Sequence, residues 1–555
     1  MKFIYYLGLL TIVSNISIVH AGDAIEIGHI DNEFTRFQQQ SQQNLNQLRQ
    51  QSEQIWINQH QYQQKEERSP SSSLSQYCLP YNGLDFIGIT LVDVSSLHLT
   101  KNDCISESKL NEISKKITQL YLKKGYIHHS FQFEEDSNGN LILHVIEGKV
   151  TALSSTSSRL NFTTLAPHMI NKPLNIKDLD QSLDQANKMK GSHVTVDVLP
   201  QKTGEIHLSF VNQEKSKING YLGFDNFASH RHKYWQIRSG FNVDNPLGLS
   251  DTLFLSLSHT LKSVNTNFNR SATFFHSIPY GYWTLNSYGT LSKFNTQVPL
   301  QYHRAEQRGS SWQIGLKVDY TFHRGENHIS TIYTQFEHYS AKNYFLDAMI
   351  ELQSPKLNTV LLGINHAQLF PRGSLSFDLN YEKGLTQLDI EKRHKNQPHL
   401  LQGKFNKWNG ELQFNYYYNW LDHLFHQKQR LLLQYSSDNL VGVKQFELLG
   451  RNAIRGFKKL SISAEKSAVL QNEISIIYTD AKWQFEPYIL MDIGLSKASS
   501  GQSSTYKAFA LGAGLKVNFT EKLTLNFEWA NGKLIQPNGL NSHESSINLQ
   551  TNYLF

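Results

Sequence analysis

From Ser216 to Phe555 the chain alternates. Segments of ten to fifteen residues carry apolar side chains on one face and polar ones on the other, with polar or Gly/Pro/Asn turns between them. Leu523, Leu525, Phe527 and Trp529 alternate with Thr524, Asn526 and Glu528. The last segment sets Ile547, Leu549, Thr551, Tyr553 and Phe555 against Asn548, Gln550 and Asn552. A period of two is that of a β-strand. A polar face bearing Glu and Lys on strand after strand cannot be a dry core, because burying unpaired charge is prohibitive. The apolar face of the same strands cannot all meet water. Lipid outside and water inside satisfy both faces if the sheet closes on itself. A soluble β-sandwich needs no terminal aromatic strand of the length that ends in Tyr553 and Phe555. About sixteen such segments fit residues 216–555, predicting a mostly β fold built on a 16-stranded transmembrane antiparallel β-barrel. Asn245–Gly248, Pro371–Gly373 and Thr520–Lys522 read as short connections, and Asn295–Ser310, Thr386–Phe405 and Asn439–Ser467 as long loops.

Other classes are excluded by what the sequence lacks. After the first twenty or so residues no long apolar run occurs, so helical membrane spans are ruled out. The net charge of +6 comes without a Lys/Arg-dense stripe, and nucleic acid is not an expected partner. We find no G-x-x-x-x-G-K-[ST] phosphate loop, no G-x-S-x-G elbow and no H-E-x-x-H helix, so neither an enzyme nor a cofactor is expected. The 24 histidines are scattered; His230, His232, His423 and His426 read as loop residues rather than metal ligands.

The first 215 residues divide further. Lys2, an apolar core from Ile4 to Val13, and Val19-His20-Ala21 form a secretory signal over residues 1–21, with cleavage after Ala21. From about Asp31 to Gln64 the sequence is saturated with Gln and Asn, and within residues 22–55 Phe34, Phe37, Leu45, Leu48 and Ile55 recur at helical spacing in a thin stripe. Such a helix suits a wet, polar lumen better than a core; a disordered Gln-rich tether is the alternative. Residues 56–77 read as a flexible linker. The only cysteines, Cys78 and Cys104, read as one disulfide in an exported chain. Residues 78–150 are a compact α/β pattern: a strand near Phe86–Val92, a helix carrying Leu110, Ile113, Ile117, Leu120 and Tyr121 that stops at Gly125, then two strands. Residues 151–215 repeat that pattern without cysteines, with Asn175 capping a helix through Ile176, Leu179, Leu183 and Ala186.

These features together resemble the outer-membrane transporters of two-partner secretion, which export haemolysins, filamentous adhesins and contact-dependent inhibition toxins. The resemblance runs through most of the mature chain. In the first α/β unit it is carried by Cys78 and Cys104, Lys124-Gly125-Tyr126-Ile127 and Glu147-Gly148-Lys149-Val150, which are similar to a first POTRA domain. In the second it is carried by Pro173-Leu174-Asn175 with Asp178-Leu179, and by Val194–Pro200 followed by Gly204. At the barrel entry it is carried by Asp225-Asn226, Asp244–Asp251 and Ile278-Pro279-Tyr280-Gly281. The most specific element is Ile454-Arg455-Gly456-Phe457, similar to the Arg-Gly-aromatic tip of a long loop that folds back into the barrel. Asp492-Ile493-Gly494 matches an acidic position on a late strand. Parity agrees: Ile489, Met491, Ile493 and Leu495 would face lipid, leaving Asp492 and Gly494 inside.

The resemblance implies a monomeric transporter in the bacterial outer membrane, with two periplasmic POTRA domains and an N-terminal plug helix. Its partner would be a large secreted exoprotein with an N-terminal secretion domain (adhesin, haemolysin or contact-dependent toxin). Recognised unfolded, it would pass through the lumen without ATP. A β-barrel assembly factor of the same superfamily should carry more than two POTRA-like units, and a solute porin needs none.

Overall fold

The computed structural model describes residue 57 and residues 78–79, 84–95, 105–135, 141–202, 204–261, 267–299, 304–388, 401–499, 505–520 and 522–555. The signal segment, the plug-helix residues Phe34, Phe37, Leu45 and Leu48, and Cys104 lie outside them. Cys78 pairs with Ser106 in a two-residue antiparallel bridge, which brings it to the stretch just beyond Cys104. Ile57, which the sequence assigns to the linker, is helical and buried. Its side chain packs against Ala367 and Leu369, an apolar patch on the inner wall of the barrel.

The first α/β unit is a three-stranded sheet ordered Leu84–Ile87, Leu141–Glu147, His129–Glu135, with the first pair parallel. Helix Glu107–Lys124 lays Ile113, Ile117 and Tyr121 on Leu143 and Val145. The first strand stops at Ile87, not Val92. Beyond Gly88, whose φ of +85° turns the chain, the amides of Thr90 and Leu91 donate to the Glu147 carboxylate at 2.8 and 2.9 Å instead of to a sheet neighbour. Tyr121 Oη donates to the same carboxylate at 2.7 Å, so Glu147 ties loop, helix and sheet together. Gly125 ends the helix with φ +91°, and a Cβ there would strike Asn175 Oδ1 at 2.6 Å.

In the second unit Glu205–Glu214 lies between Lys149–Ser155 (parallel) and Ser192–Pro200 (antiparallel). Asn175 caps helix Ile176–Asn187, its Oδ1 accepting from Lys177 N at 2.9 Å. Leu179 and Ala186 pack on Val150, Ile206, Leu208 and Phe210.

Sixteen antiparallel strands then close into a barrel, from Ile218–Asp225 to Asn541–Leu554. No helix among the described residues is long and apolar enough to cross a membrane; the strands do it. Leu257, Ile314, Leu316, Leu362 and Ile489 stand exposed on the outer wall, where hydrocarbon covers them. Tyr280, Trp283, Trp420 and Trp483 sit on the same wall beside the short turns, at the level of an interfacial girdle. The sequence reading of Asn295–Ser310 as a long loop is corrected. The fifth strand, Trp283–Pro299, and the sixth, Arg304–Arg324, stay paired out to Pro299 and Arg304. Their polar residues alternate with inward-facing Phe294, Val298 and Ala305, so the hairpin carries the ladder past the apolar belt.

The second unit is fastened to the short-turn rim. Gln185 Nε2 donates to Gly281 O at 3.1 Å, Tyr282 Oη to Asp178 Oδ1 at 2.7 Å, and Arg324 binds Gln181 and Asp184. Gly191 N donates to the buried Asp244 carboxylate at 2.6 Å. The short turns therefore lie on the same side of the membrane as the two α/β units.

Glu147 generates a prediction. Burial opposes its ionisation, but hydrogen bonds from Thr90, Tyr121 and Leu91 outweigh burial and hold the carboxyl below its ordinary 4.5. Its stabilisation is complete above that unfolded value and is lost as pH falls through the lower folded one. Glu147→Ala should cost roughly 1–3 kcal/mol locally. Amide exchange of residues 88–91 should rise in the variant at neutral pH, and in the wild type only below about pH 4.5.

Candidate functional site: an inward loop bound to the barrel wall

The eleventh strand, His423–Tyr435, and the twelfth, Lys466–Asp480, are joined by residues 436–465, which fold back into the lumen. Phe446–Glu447 pairs with Ser463–Ala464 at the neck of a hairpin. Beyond the neck, Leu448 N donates to Ile462 O at 2.8 Å, Ile454 N to Leu448 O at 3.0 Å and Gly450 N to Ile454 O at 2.9 Å. The hairpin is apolar where it meets the wall: Leu448, Leu449, Ala453, Ile454 and Phe457 pack on Val469, Ala508, Ala510 and Leu534. Room comes from small inward residues on the thirteenth to fifteenth strands. A Cβ on Gly494 would meet Ile454, Leu448 and Val469 side chains at 2.9 Å, and one on Gly532 would meet the Phe457 ring at 2.3 Å.

At the tip, Arg455 presents its guanidinium edge-on to Asp492 of the thirteenth strand, Trp483–Lys497. Nε reaches Oδ2 at 2.8 Å, a terminal nitrogen reaches Oδ1 at 2.7 Å, and the backbone N–H of Arg455 adds a third bond at 3.0 Å. This two-pronged geometry is available to Arg and not to Lys. The opposite edge of the guanidinium reaches Glu473 of the twelfth strand at 3.2 Å and Glu528 of the fifteenth, Leu523–Ile535, at 3.4 Å. Asp492 is fully buried and Arg455 is 7 % exposed, so the fork is shielded from bulk solvent. Gly456 follows with φ +96°; a Cβ there would sit 2.7 Å from the backbone nitrogen of Gly532. Glycine is thus required both for the turn and for contact with the wall.

The structure brings Ile454, Arg455, Gly456, Phe457, Asp492 and Gly494 into one cluster. Tyr553 and Phe555 lie elsewhere, at the barrel seam. There the Phe555 ring fills the space over Gly220, and Phe555 and Gly220 exchange two backbone bonds at 3.0 Å. Sequence reasoning missed Glu473, Glu528 and Glu544. Glu544 accepts from the amides of Lys458, Lys459 and Leu460 at 2.7, 2.8 and 3.1 Å, fixing the chain just past the tip. One signal for the loop seat was in the sequence: on the fourteenth strand, Thr505–Phe519, the inward face reads Ala508, Ala510, Gly512 and Gly514 where a solvated face would carry long polar groups.

Between this loop and the helix Ile176–Asn187 lies a lumenal cavity of about 700 Å3, lined by charged residues of both signs together with apolar ones. Gln185 and Lys188 line one end, and Lys444 and Asn452 the other.

Residues 204–518 match the family profile described as haemolysin secretion/activation protein ShlB/FhaC/HecB, and residues 79–148 match the POTRA domain, ShlB-type. The chain is 34 % identical over 547 residues to the hemolysin transporter protein HpmB of Proteus mirabilis, covering 95 % of each. It is 31 % identical to the hemolysin transporter protein ShlB of Serratia marcescens, covering 83 % of each. In fold it is similar to CdiB from Escherichia coli, with a TM-score of 0.80 over 96 % of this chain and 100 % of that one, at 21 % identity.

Replacing Arg455 by Ala leaves Asp492 buried without its partner, a loss of roughly 3–5 kcal/mol in loop attachment. Arg455→Lys recovers only part, since one ammonium cannot reproduce the fork. Gly494→Val should act through sterics alone. In all three, limited proteolysis of the folded barrel should newly cut within residues 448–460, while heat-modifiable migration stays that of an assembled barrel.

Proposed function

We infer the working of the protein from one premise: the chain belongs to the haemolysin secretion/activation family and is an outer-membrane transporter of two-partner secretion, with its POTRA region in the periplasm. On our reading its cargo is a large haemolysin-type exoprotein with an N-terminal secretion domain. The two relatives above 30 % identity, both named haemolysin transporters, support this choice over an adhesin or a contact-dependent toxin. The protein works as a monomer, since the barrel closes within one chain. Cargo meets the periplasmic units first. Each sheet ends in an edge strand, His129–Glu135 or Ser192–Pro200, to which an extended segment can add by main-chain hydrogen bonds. It then passes the lumen, whose polar wall suits an unfolded chain, and folding outside biases movement outward.

The observation that carries the site assignment is the buried Arg455 fork on Asp492. It holds a loop inside the very space that cargo must cross, so the pair sets the position of the conduit's movable part. We assign Ile454, Arg455, Gly456 and Phe457 to the loop tip and Asp492 and Gly494 to its seat. Cys78 and Cys104 form the disulfide of the first POTRA domain, and Phe34, Phe37, Leu45 and Leu48 belong to a plug helix.

Deleting the gene should abolish surface appearance of the exoprotein encoded beside it, read by immunoblot of culture supernatant and surface-labelled cells. Asp492→Arg should reduce export strongly with the barrel still assembled, and a paired Arg455→Asp should recover part of it. Wild-type export by Asp492→Arg would remove the assignment.

A further inference from the structure

The inward loop is held a second time, on another part of the wall. A single helical turn, Gly442–Lys444, precedes the hairpin neck, and its Val443 is buried beside Tyr339, Ala341 and Leu357. From its end Lys444 Nζ donates to Glu337 at 2.8 Å and to Glu382 at 2.6 Å. Glu382 also binds Lys407 at 2.9 Å, and Lys407 Nζ reaches back to the carbonyl of Lys444 at 3.4 Å, which Gln434 Nε2 meets as well, at 3.2 Å. Two lysines and two glutamates thus form a charge-balanced group, each less than 9 % exposed. Glu337 stands on the seventh strand, His328–Phe345, and Glu382 on the ninth, Gly373–Gly384. The carboxylates bound by Arg455 stand on the twelfth, thirteenth and fifteenth strands. The seventh and fifteenth are half the circumference apart. Glu337, Glu382 and Asp492 each lie nine residues beyond the periplasmic start of their strands, so both attachments hold the loop at a similar depth.

We propose that Lys444, through Glu337 and Glu382, is a second positioning residue for the export conduit: it pins the near arm of the loop so that, with Arg455 fixed, the loop spans the lumen as a bar. The proposal rests on the transport reading above. A buried ionic group contributes little net stability compared with apolar residues of the same shape. That suits a part that must be held and then let go. Lys444 is a point charge shared between two carboxylates, and water entering the lumen can replace each bond in turn. The tip adds a two-pronged fork and apolar packing to its charges.

The test uses the full-length protein. Lys444→Gln should raise the frequency or size of single-channel openings in planar bilayers severalfold and lower export severalfold. Lys444→Arg should restore both, as a purely packing role would not. If Lys444→Gln does not assemble, Glu337→Gln, which keeps one carboxylate, should change conductance in the same direction. Wild-type conductance and export in an assembled Lys444→Gln protein, or wild-type conductance in Glu337→Gln, overturns the proposal. If deleting the wild-type gene leaves export intact, the transport reading fails, while the conductance arm still decides whether Lys444 pins the loop.

Discussion

A strand in hydrocarbon has no water to bind its N–H and C=O groups, so each must be satisfied by a neighbour, and the last strand must meet the first. Every other feature depends on that closure. It divides the chain's surroundings into oil and water, and so allows one strand to carry Ile489, Met491 and Ile493 on one side and Asp492 on the other. It also creates the confined volume in which Arg455 loses its hydration and its bonds to carboxylates strengthen. Closure is uneven. The fifth strand pairs with the sixth along its whole length, whereas the seam is only five residue pairs, Tyr221–Asp225 with Gln550–Leu554. Phe555 extends it by lying over Gly220.

Within the closed wall, charges of opposite sign are set directly against one another. Arg455 sits among Asp492, Glu473 and Glu528, while Glu473 is shared with Lys516. Arg430 pairs with Glu411 at 2.7 Å. A lumen furnished this way presents no single field to a passing polypeptide, whose own composition varies along its length. The periplasmic end differs in kind: there the second α/β unit meets the rim through neutral amides and carbonyls as well as through Arg324 and Asp184, a mixture that fixes the angle between domain and barrel.

Much of this was legible from residues alone because the barrel obeys a period of two, and lipid enforces it. The parity that puts Asp492 inside and Ile489 outside follows from counting. Helix Ile176–Asn187 announces itself through Asn175 and its apolar spacing. What period and propensity do not encode is where a polar stretch goes once strands are placed. Asn295–Gln297 reads as loop by composition, yet it continues a hairpin, because inward Phe294 and Val298 have partners. Glu147 sits within a short motif, but its role as acceptor for Thr90 and Leu91 depends on a loop 56 residues away meeting it in space. Glu473, Glu528 and Glu544 look like three more polar positions on amphipathic strands. Only the loop's inward path singles them out, and its trace in the sequence was indirect, in the run of Ala and Gly on the fourteenth strand.

The path of that loop also has a mechanical meaning for the wall. Arg451 lies over the Phe227 ring at 3.7 Å and binds Gln550, while Lys458 binds the carbonyls of Asn226 and Ile547. Asn226 follows the first strand, and Ile547 and Gln550 belong to the last. The loop therefore lies as an internal splint across the barrel's short seam. A loop lost from this position would take with it both the brace on the seam and the material that fills the bore, so the two are one structural element.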